Sequence, residues 1–148
     1  MSPVNSRTKG AQWEREVARR FRAVLGLPAD DRTVRRAGGG QADGHKVPDV
    51  DVPHLWIECK VGPKQDPFTA LMQAERDCND DRACVAVIKH DRRPPFAVMR
   101  TSTWVWLCDA GEVGEATDCI AEDVVVRVAL DDLLAVYGTR TKLLRGAA

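Results

Sequence analysis

Asp49, Glu58 and Lys60 stand in the pattern Pro-Asp, eight residues, Glu, one residue, Lys. Two carboxylates and an ammonium at this spacing suit phosphodiester chemistry. Hard divalent cations such as Mg²⁺ take oxygen ligands and keep several waters, so one or two carboxylates are enough to hold one. A cation on Asp49 and Glu58 would bind a phosphate oxygen and acidify a bound water. The Cys59 carbonyl, between Glu58 and Lys60, would be a further oxygen ligand. Lys60 points the same way as Glu58 on a strand. Its ammonium can orient the attacking water or stabilise charge in the transition state. On spacing alone the pattern is modest, because a surface ion pair between Glu58 and Lys60 fits it equally well.

The segment VPDVDVPHLWIECKV must position these groups. It predicts two short strands around Pro53-His54. Alternation puts Asp49 and Asp51 on one face of the first strand, and Trp56, Glu58 and Lys60 on one face of the second. An even-numbered loop pairs Val52 with Leu55, Asp51 with Trp56 and Asp49 with Glu58. Opposed carboxylates repel and raise each other's pKa unless a cation sits between them. Asp51 is placed to share or replace the role of Asp49.

A helix is predicted before the hairpin, from Thr8 as N-cap to Leu25, with Gly26 and Pro28 ending it. Trp13, Val17, Phe21, Val24 and Leu25 fall in one arc about 120° wide. Glu14 falls inside that arc. A carboxylate there either snorkels at the edge of the face or has a partner. Thr33-Val34-Arg35 reads as a short strand. Ala37 to Gly44 reads as a Gly-rich loop without P-loop or GxGxxG spacing, and a surface loop is its plain reading.

After the hairpin, Asp66 and Pro67 open a second helix that reaches about Cys78. Its apolar side holds Phe68, Leu71, Met72 and Cys78, with Gln73 and Arg76 beside it. Ala83 to Ile88 suits a buried strand. The basic loop KHDRRPP and a short strand at Ala97–Met99 follow. Thr103 to Leu107 is ambiguous between strand and helix, with Ser102 as cap and Gly111 as stop for the latter. An acidic linker leads to a strand at Val124–Val128. A last helix spans Asp131–Tyr137, stopped by Gly138 and followed by a loose basic tail.

The chain has 148 residues, of which 44% are hydrophobic and 30% charged. That suits one globular domain with a real core and excludes disorder. Lys and Arg total 22 and so do Asp and Glu, which excludes a simple polycation. The distribution is uneven. Residues 1–40 hold nine Lys/Arg against four Asp/Glu, and residues 101–136 hold one against eight. One end suits a polyanion and the other does not. The cysteines are Cys59, Cys78, Cys84, Cys108 and Cys119. They form no CxxC pair and are odd in number, so reduced packing thiols are expected rather than a disulfide framework or structural zinc. His45, His54 and His90 are too scattered for a metal site. No apolar run spans a membrane. The first ten residues lack the apolar core of a signal peptide, so a cytoplasmic location is expected.

The stretches RTKGAQWERE at 7–16, TVRRAGG at 33–39, VPDV at 47–50 and WIECKV at 56–61 together resemble the PD-(D/E)XK nuclease superfamily. More narrowly, they are similar to Holliday junction resolvases of the archaeal type and their bacteriophage relatives. The resemblance covers about residues 7–100. It implies an α/β fold with a central mixed β-sheet flanked by helices and an α-β-β-β-α-β core. It also implies one nuclease domain over residues 1–148, with residues 101–148 as an extension to which nothing is carried over.

By the same resemblance, the catalytic residues are Glu14, Asp49, Glu58 and Lys60. The family's helix-borne glutamate matches Glu14, not Glu16. The metal ligands are Asp49, Glu58 and the Cys59 carbonyl. The DNA-binding residues are Lys9, Arg35, Arg36 and Gln73. The implied cofactor is Mg²⁺, with Mn²⁺ as a substitute and no organic cofactor. The implied substrate is a DNA four-way junction, cut by a homodimer to 5′-phosphate and 3′-hydroxyl ends. If the protein is phage-encoded, the compartment is the bacterial host cytoplasm. The segment between Asp49 and Glu58 is shorter than in the archaeal proteins and similar to the phage version. The residues leave two alternatives open: a nuclease of the same superfamily with another substrate (nickase, flap or restriction-type endonuclease, exonuclease), and an inactive DNA-binding module.

Overall fold

The computed structural model of the chain describes residues 4–38, 41–42, 44–109 and 124–146. Helix α1 (Val4–Leu25) buries Trp13, Val17, Phe21 and Leu25, the stripe expected from the sequence, together with Ala18. It begins before Thr8, which is therefore an internal residue and not the N-cap. The far end closes as a Schellman motif. Gly26 takes φ 68°, its N–H donates to Ala23 O, and the Leu27 N–H donates to Arg22 O.

Strand β1 is Arg35–Arg36, beginning two residues later than Thr33–Arg35. The Thr33 N–H is taken by the Asp31 carboxylate, so the chain is still turning there. Within the expected Gly-rich loop, β2 (Gln41–Ala42) and β3 (His45–Lys46) form a small antiparallel ribbon. Residues 39, 40 and 43 of that loop lie outside the described ones.

Strands β4 (Val50–Val52) and β5 (Leu55–Val61) make the hairpin. Val52 pairs with Leu55 and Asp51 with Trp56, as the loop length predicts, and Val50 pairs with Ile57. His54 completes the turn at φ 67°. The pairing does not continue as Asp49 with Glu58. The Asp49 N–H donates to the Ile57 carbonyl, and the next donor on β5, the Cys59 N–H, goes to the Asp49 side chain.

Helix α2 (Pro67–Asp77) is capped by Asp66, whose carboxylate accepts from the Phe68 and Thr69 N–H groups. Its buried residues are Ala70, Leu71 and Ala74. Phe68 and Met72, expected on the apolar side, are more than half exposed. Cys78 is the C-cap rather than a helical residue. The helix returns the chain to β6 (Ala83–Lys89), which runs parallel to β5. Parallel neighbours need such a crossover.

Strands β7 (Phe96–Arg100) and β8 (Val125–Ala129) complete a mixed six-stranded sheet of order β1-β4-β5-β6-β7-β8. The ambiguous segment is helix α3 (Thr101–Cys108), with Ser102 inside it and no side-chain cap from Arg100. Helix α4 spans Leu130–Gly146, so the expected loose tail is helical. Gly138 does not stop it. A Cβ at Gly138 would lie 2.7 Å from Val24 Cγ2 and 3.2 Å from Val24 O, so this glycine lets α4 approach α1. The acidic segment, with Cys119, lies outside the described residues.

The result is an α/β fold in three layers. Helices α1, α3 and α4 share one core with the odd-numbered positions of β5, namely Leu55, Ile57 and Cys59. Helix α2 covers the other face over Ala86, Ile88, Phe96 and Val98. The last quarter of the chain thus supplies an edge strand and the helix that braces α1. No helix among the described residues is long and apolar enough to cross a membrane.

Candidate active site

Asp49 sits where β4 begins, gripped by its backbone from two sides. Its N–H donates to β5, and its carbonyl accepts from the Ala37 and Gly38 N–H groups at 2.9 and 3.1 Å. The carboxylate Oδ2 accepts the Cys59 N–H at 2.8 Å. The side chain thus takes a ladder donor beyond the end of β4. The N–H and C=O of a strand residue face the same edge, so the Cys59 carbonyl also faces the Asp49 side.

Glu58 is one residue back on β5 and points to the α2 face. It is 5% exposed. Its Oε1 accepts from Lys60 Nζ at 2.8 Å and from Gln73 Nε2 at 2.8 Å. The Glu58–Lys60 pair exists, but its acidic member is buried, unlike the surface pair that the spacing allowed. Gln73, expected to contact DNA, donates to Glu58 from α2 in this structure. Glu14, on α1, is bonded through Oε2 to Arg36 Nε at 2.5 Å. This resolves the misfit in the α1 stripe: Glu14 has a cationic partner from the neighbouring strand.

These groups form one electrostatic unit. Burial raises the pKa of Asp49, and the Cys59 N–H and the charges of Lys60 and Arg36 partly oppose it. Burial raises Glu58, with the Asp49 charge as the next cause. Burial and then Asp49 also raise Glu14, against the pull of Arg36. Buried Cys59 has its thiol pushed well up, first by burial and then by the charges of Asp49, Glu14 and Glu58. The charges of all three carboxylates are thus felt at one residue of β5.

Each carboxylate spends one oxygen on the protein. Asp49 Oδ1, Glu58 Oε2 and Glu14 Oε1 accept no hydrogen bond among the described residues. None of the three is a fully buried orphan atom, so they face accessible space. Among the described residues no group of three or more His, Cys, Asp or Glu side chains is gathered tightly enough to hold a metal by side chains alone. A Mg²⁺ site does not need one, since this cation takes one or two carboxylates and completes its shell with water. Asp49 and Glu58, two hard oxygen donors with free lone pairs beside the Cys59 carbonyl, fit that requirement.

The other expected residues surround this unit. Asp51 is engaged by Arg35 at 3.3 Å and Arg82 at 2.7 Å, whereas Asp49 pairs with no cation among the described residues. Arg35 is largely exposed and Arg36 is partly so. Lys9 is exposed and lines a cleft of about 520 Å³ with Trp13, Val61 and Lys89. The sequence reading missed Arg82, which lies 5.0 Å over the Trp56 ring while pairing with Asp51. Arg82 also pairs with Asp80 at 2.9 Å, two residues away, but Asp51 and Trp56 are distant in the chain and no sequence signal marked them as its partners. A separate cleft of about 460 Å³, lined by His54, Arg82 and Trp106, sits at the start of β5 and holds none of the three carboxylates.

Comparison with protein-family models, curated proteins and solved structures finds no match. The site's own chemistry must therefore carry the functional assignment.

Proposed function

We propose that this chain is a Mg²⁺-dependent DNA endonuclease of the PD-(D/E)XK type, acting as a homodimer that resolves four-way junctions. One observation carries the proposal. Buried Asp49 and Glu58 lie beside Lys60 on adjacent strands, and each carboxylate keeps one oxygen unbonded. The element order also supports it. With the β2–β3 ribbon set aside, the chain runs α1, β1, β4, β5, α2, β6, the α-β-β-β-α-β order of that superfamily. The choice of a junction as substrate rests on the stretches at 7–16, 33–39, 47–50 and 56–61.

In this reading Asp49, Glu58 and the Cys59 carbonyl hold the cation. When bound, it supplies Lewis acidity and lowers the pKa of a coordinated water. Gln73 fixes the Glu58 carboxylate so that Oε2 points to the open side. Lys60 stabilises charge that develops on the phosphate oxygens. Glu14 keeps Arg36 beside the site, and Arg35 and Arg36 offer planar forks suited to phosphate. Water oxygen bonds to phosphorus and the bond to the 3′ oxygen breaks. That oxygen leaves with a proton, giving 5′-phosphate and 3′-hydroxyl ends.

The test uses a labelled synthetic four-way junction and a linear duplex of equal length, each with Mg²⁺, Mn²⁺ or EDTA, alongside E58Q and K60A. Paired symmetric nicks in the junction alone, lost with EDTA and with either variant, are the expected result. Comparable cutting of the duplex would keep the Asp49–Glu58–Lys60 assignment and replace the substrate. Binding of the junction with no cutting under either metal would overturn catalysis.

A further inference from the structure

The loop KHDRRPP is basic, yet nothing in the catalytic reading uses it. The fold brings it to the loop that follows β5. The Gly62 N–H donates to Lys89 O at 3.0 Å, and His90 Nε2 bonds Gln65 O at 3.0 Å. The two loops at the carboxyl ends of the parallel pair β5 and β6 are thereby tied together. The start of α1 joins them. Lys9, Lys89 and Asp91 line the same cleft, and Lys89 Nζ lies 5.1 Å over the Trp13 ring.

Lys9, Lys64, Lys89, Arg92 and Arg93 are all exposed. None forms an ion pair among the described residues. Several cations elsewhere in the molecule are neutralised, whereas these five are unpaired among the described residues and gathered at one end of the sheet. Arg19 and Arg20 hold Glu16, Arg35 and Arg82 hold Asp51, and Arg100 holds Glu75. The acids near the five are few. Asp66 is committed to capping α2, Glu16 to its arginines, and Asp91 is left. The cleft adjoins the catalytic unit by the chain itself, since Trp13 precedes Glu14 and Val61 follows Lys60.

We infer that Lys9, Lys64, Lys89, Arg92 and Arg93 form a second contact surface for the DNA backbone, which holds a duplex arm beyond the scissile phosphate. This rests on the proposed nuclease reading and extends it. Unpaired lysines and arginines displace condensed counterions from DNA, while cations already paired with carboxylates displace few. The surface reads charge and not sequence.

The variant to make is K64Q/R92N/R93Q, all in exposed loops and none touching the carboxylates. Asn is chosen at 92 because Arg92 has φ 58°, a conformation that Asn tolerates. Binding of a fluorescent junction and duplex is measured by anisotropy across a NaCl series with Ca²⁺ in place of Mg²⁺, to hold cleavage off. Each lost phosphate contact lowers the slope of log K against log salt by about 0.9. The triple variant should be shallower by about 2.7, and K142A, one turn past the Gly138–Val24 contact on α4 and so toward the far end of α1 from Lys9, should match the wild type. Single-turnover cleavage at saturating protein should stay within about twofold of wild type, because the catalytic unit is intact. An unchanged slope in a protein that still cuts DNA would overturn this surface and leave the nuclease reading standing. A wild type that shows no salt-dependent binding to either DNA would overturn both.

Discussion

The close approach of α1 and α4 makes the most demanding test of this structure, because one substitution has opposite signs at two sites. Gly10 and Gly138 both lie inside helices. Replacing a mid-helix glycine by alanine stabilises by about 0.5–1 kcal/mol when nothing else changes. A Cβ at Gly10 meets nothing within 4 Å, so G10A should show that gain in full. A Cβ at Gly138 would press on Val24 Cγ2 at 2.7 Å and on Val24 O at 3.2 Å. Valine is stiff at χ1 and the carbonyl belongs to α1 itself, so relief requires the helices to separate. Overpacking of this kind costs about 1–3 kcal/mol. Set against the propensity gain, G138A should be destabilised by about 1–2 kcal/mol. At roughly 2–4 °C per kcal/mol for a chain of this size, Tm should fall by about 2–8 °C, while G10A rises by about 1–4 °C. Urea titration with an unchanged m-value would confirm that both substitutions change stability rather than the compactness of the denatured chain. If G138A proved as stabilising as G10A, the packing of α4 on α1 would be wrong. The brace that seats Glu14 beside β1 would then go with it.

Three further outcomes are expected. Mg²⁺ at about a hundred times its Kd should raise stability by about 2.7 kcal/mol, a Tm gain of about 5–11 °C, by scanning fluorimetry; no gain in D49N and E58Q is required if these carboxylates hold the ion. In EDTA, Asp49, Glu58 and Glu14 bind protons more tightly folded than unfolded. Their contribution is therefore whole below the ordinary values of 3.8 and 4.5 and is lost as pH rises through the raised ones. Urea midpoints from pH 4 to 8 should show this decline and a shallower one in E58Q; parallel curves would contradict the burial of Glu58. Buried Tyr137 donates from its hydroxyl to Pro53 O at 2.9 Å, tying α4 to the hairpin turn. Y137F should cost about 1–2 kcal/mol by the same titration, and a neutral result would mean that the tie is absent.

The local parts of this protein were legible in its sequence. The apolar stripe of α1, its glycine stop, the Asp66 cap and the Val52–Leu55 register each depend on neighbours within a turn or a hairpin, where spacing determines geometry. Asp49, Glu58 and Lys60 were legible for the same reason, lying on two consecutive strands. The position of Glu14 was legible as a misfit, a carboxylate inside an apolar arc, and in the resemblance carried by residues 7–16. Its partner Arg36 comes from a strand 22 residues away, and helix periodicity carries no information about that.

Tertiary structure decided what lay between elements. Gly138 reads as a helix stop by its propensity, but the proximity of Val24 makes its missing side chain a packing requirement, and α4 continues past it. Phe68 and Met72 fit an apolar stripe by type, but the sheet lies under Ala70, Leu71 and Ala74, which set the rotation of α2 and so place Gln73 on Glu58. Asp51 matches Asp49 by alternation, and two arginines, Arg35 from β1 and Arg82 just before β6, pair with it. Periodicity and capping are properties of a few adjacent residues, so the chain alone specifies them. The neighbour of a carboxylate, or the rotation of a helix on a sheet, is a choice among many distant partners, and only the assembled core makes it.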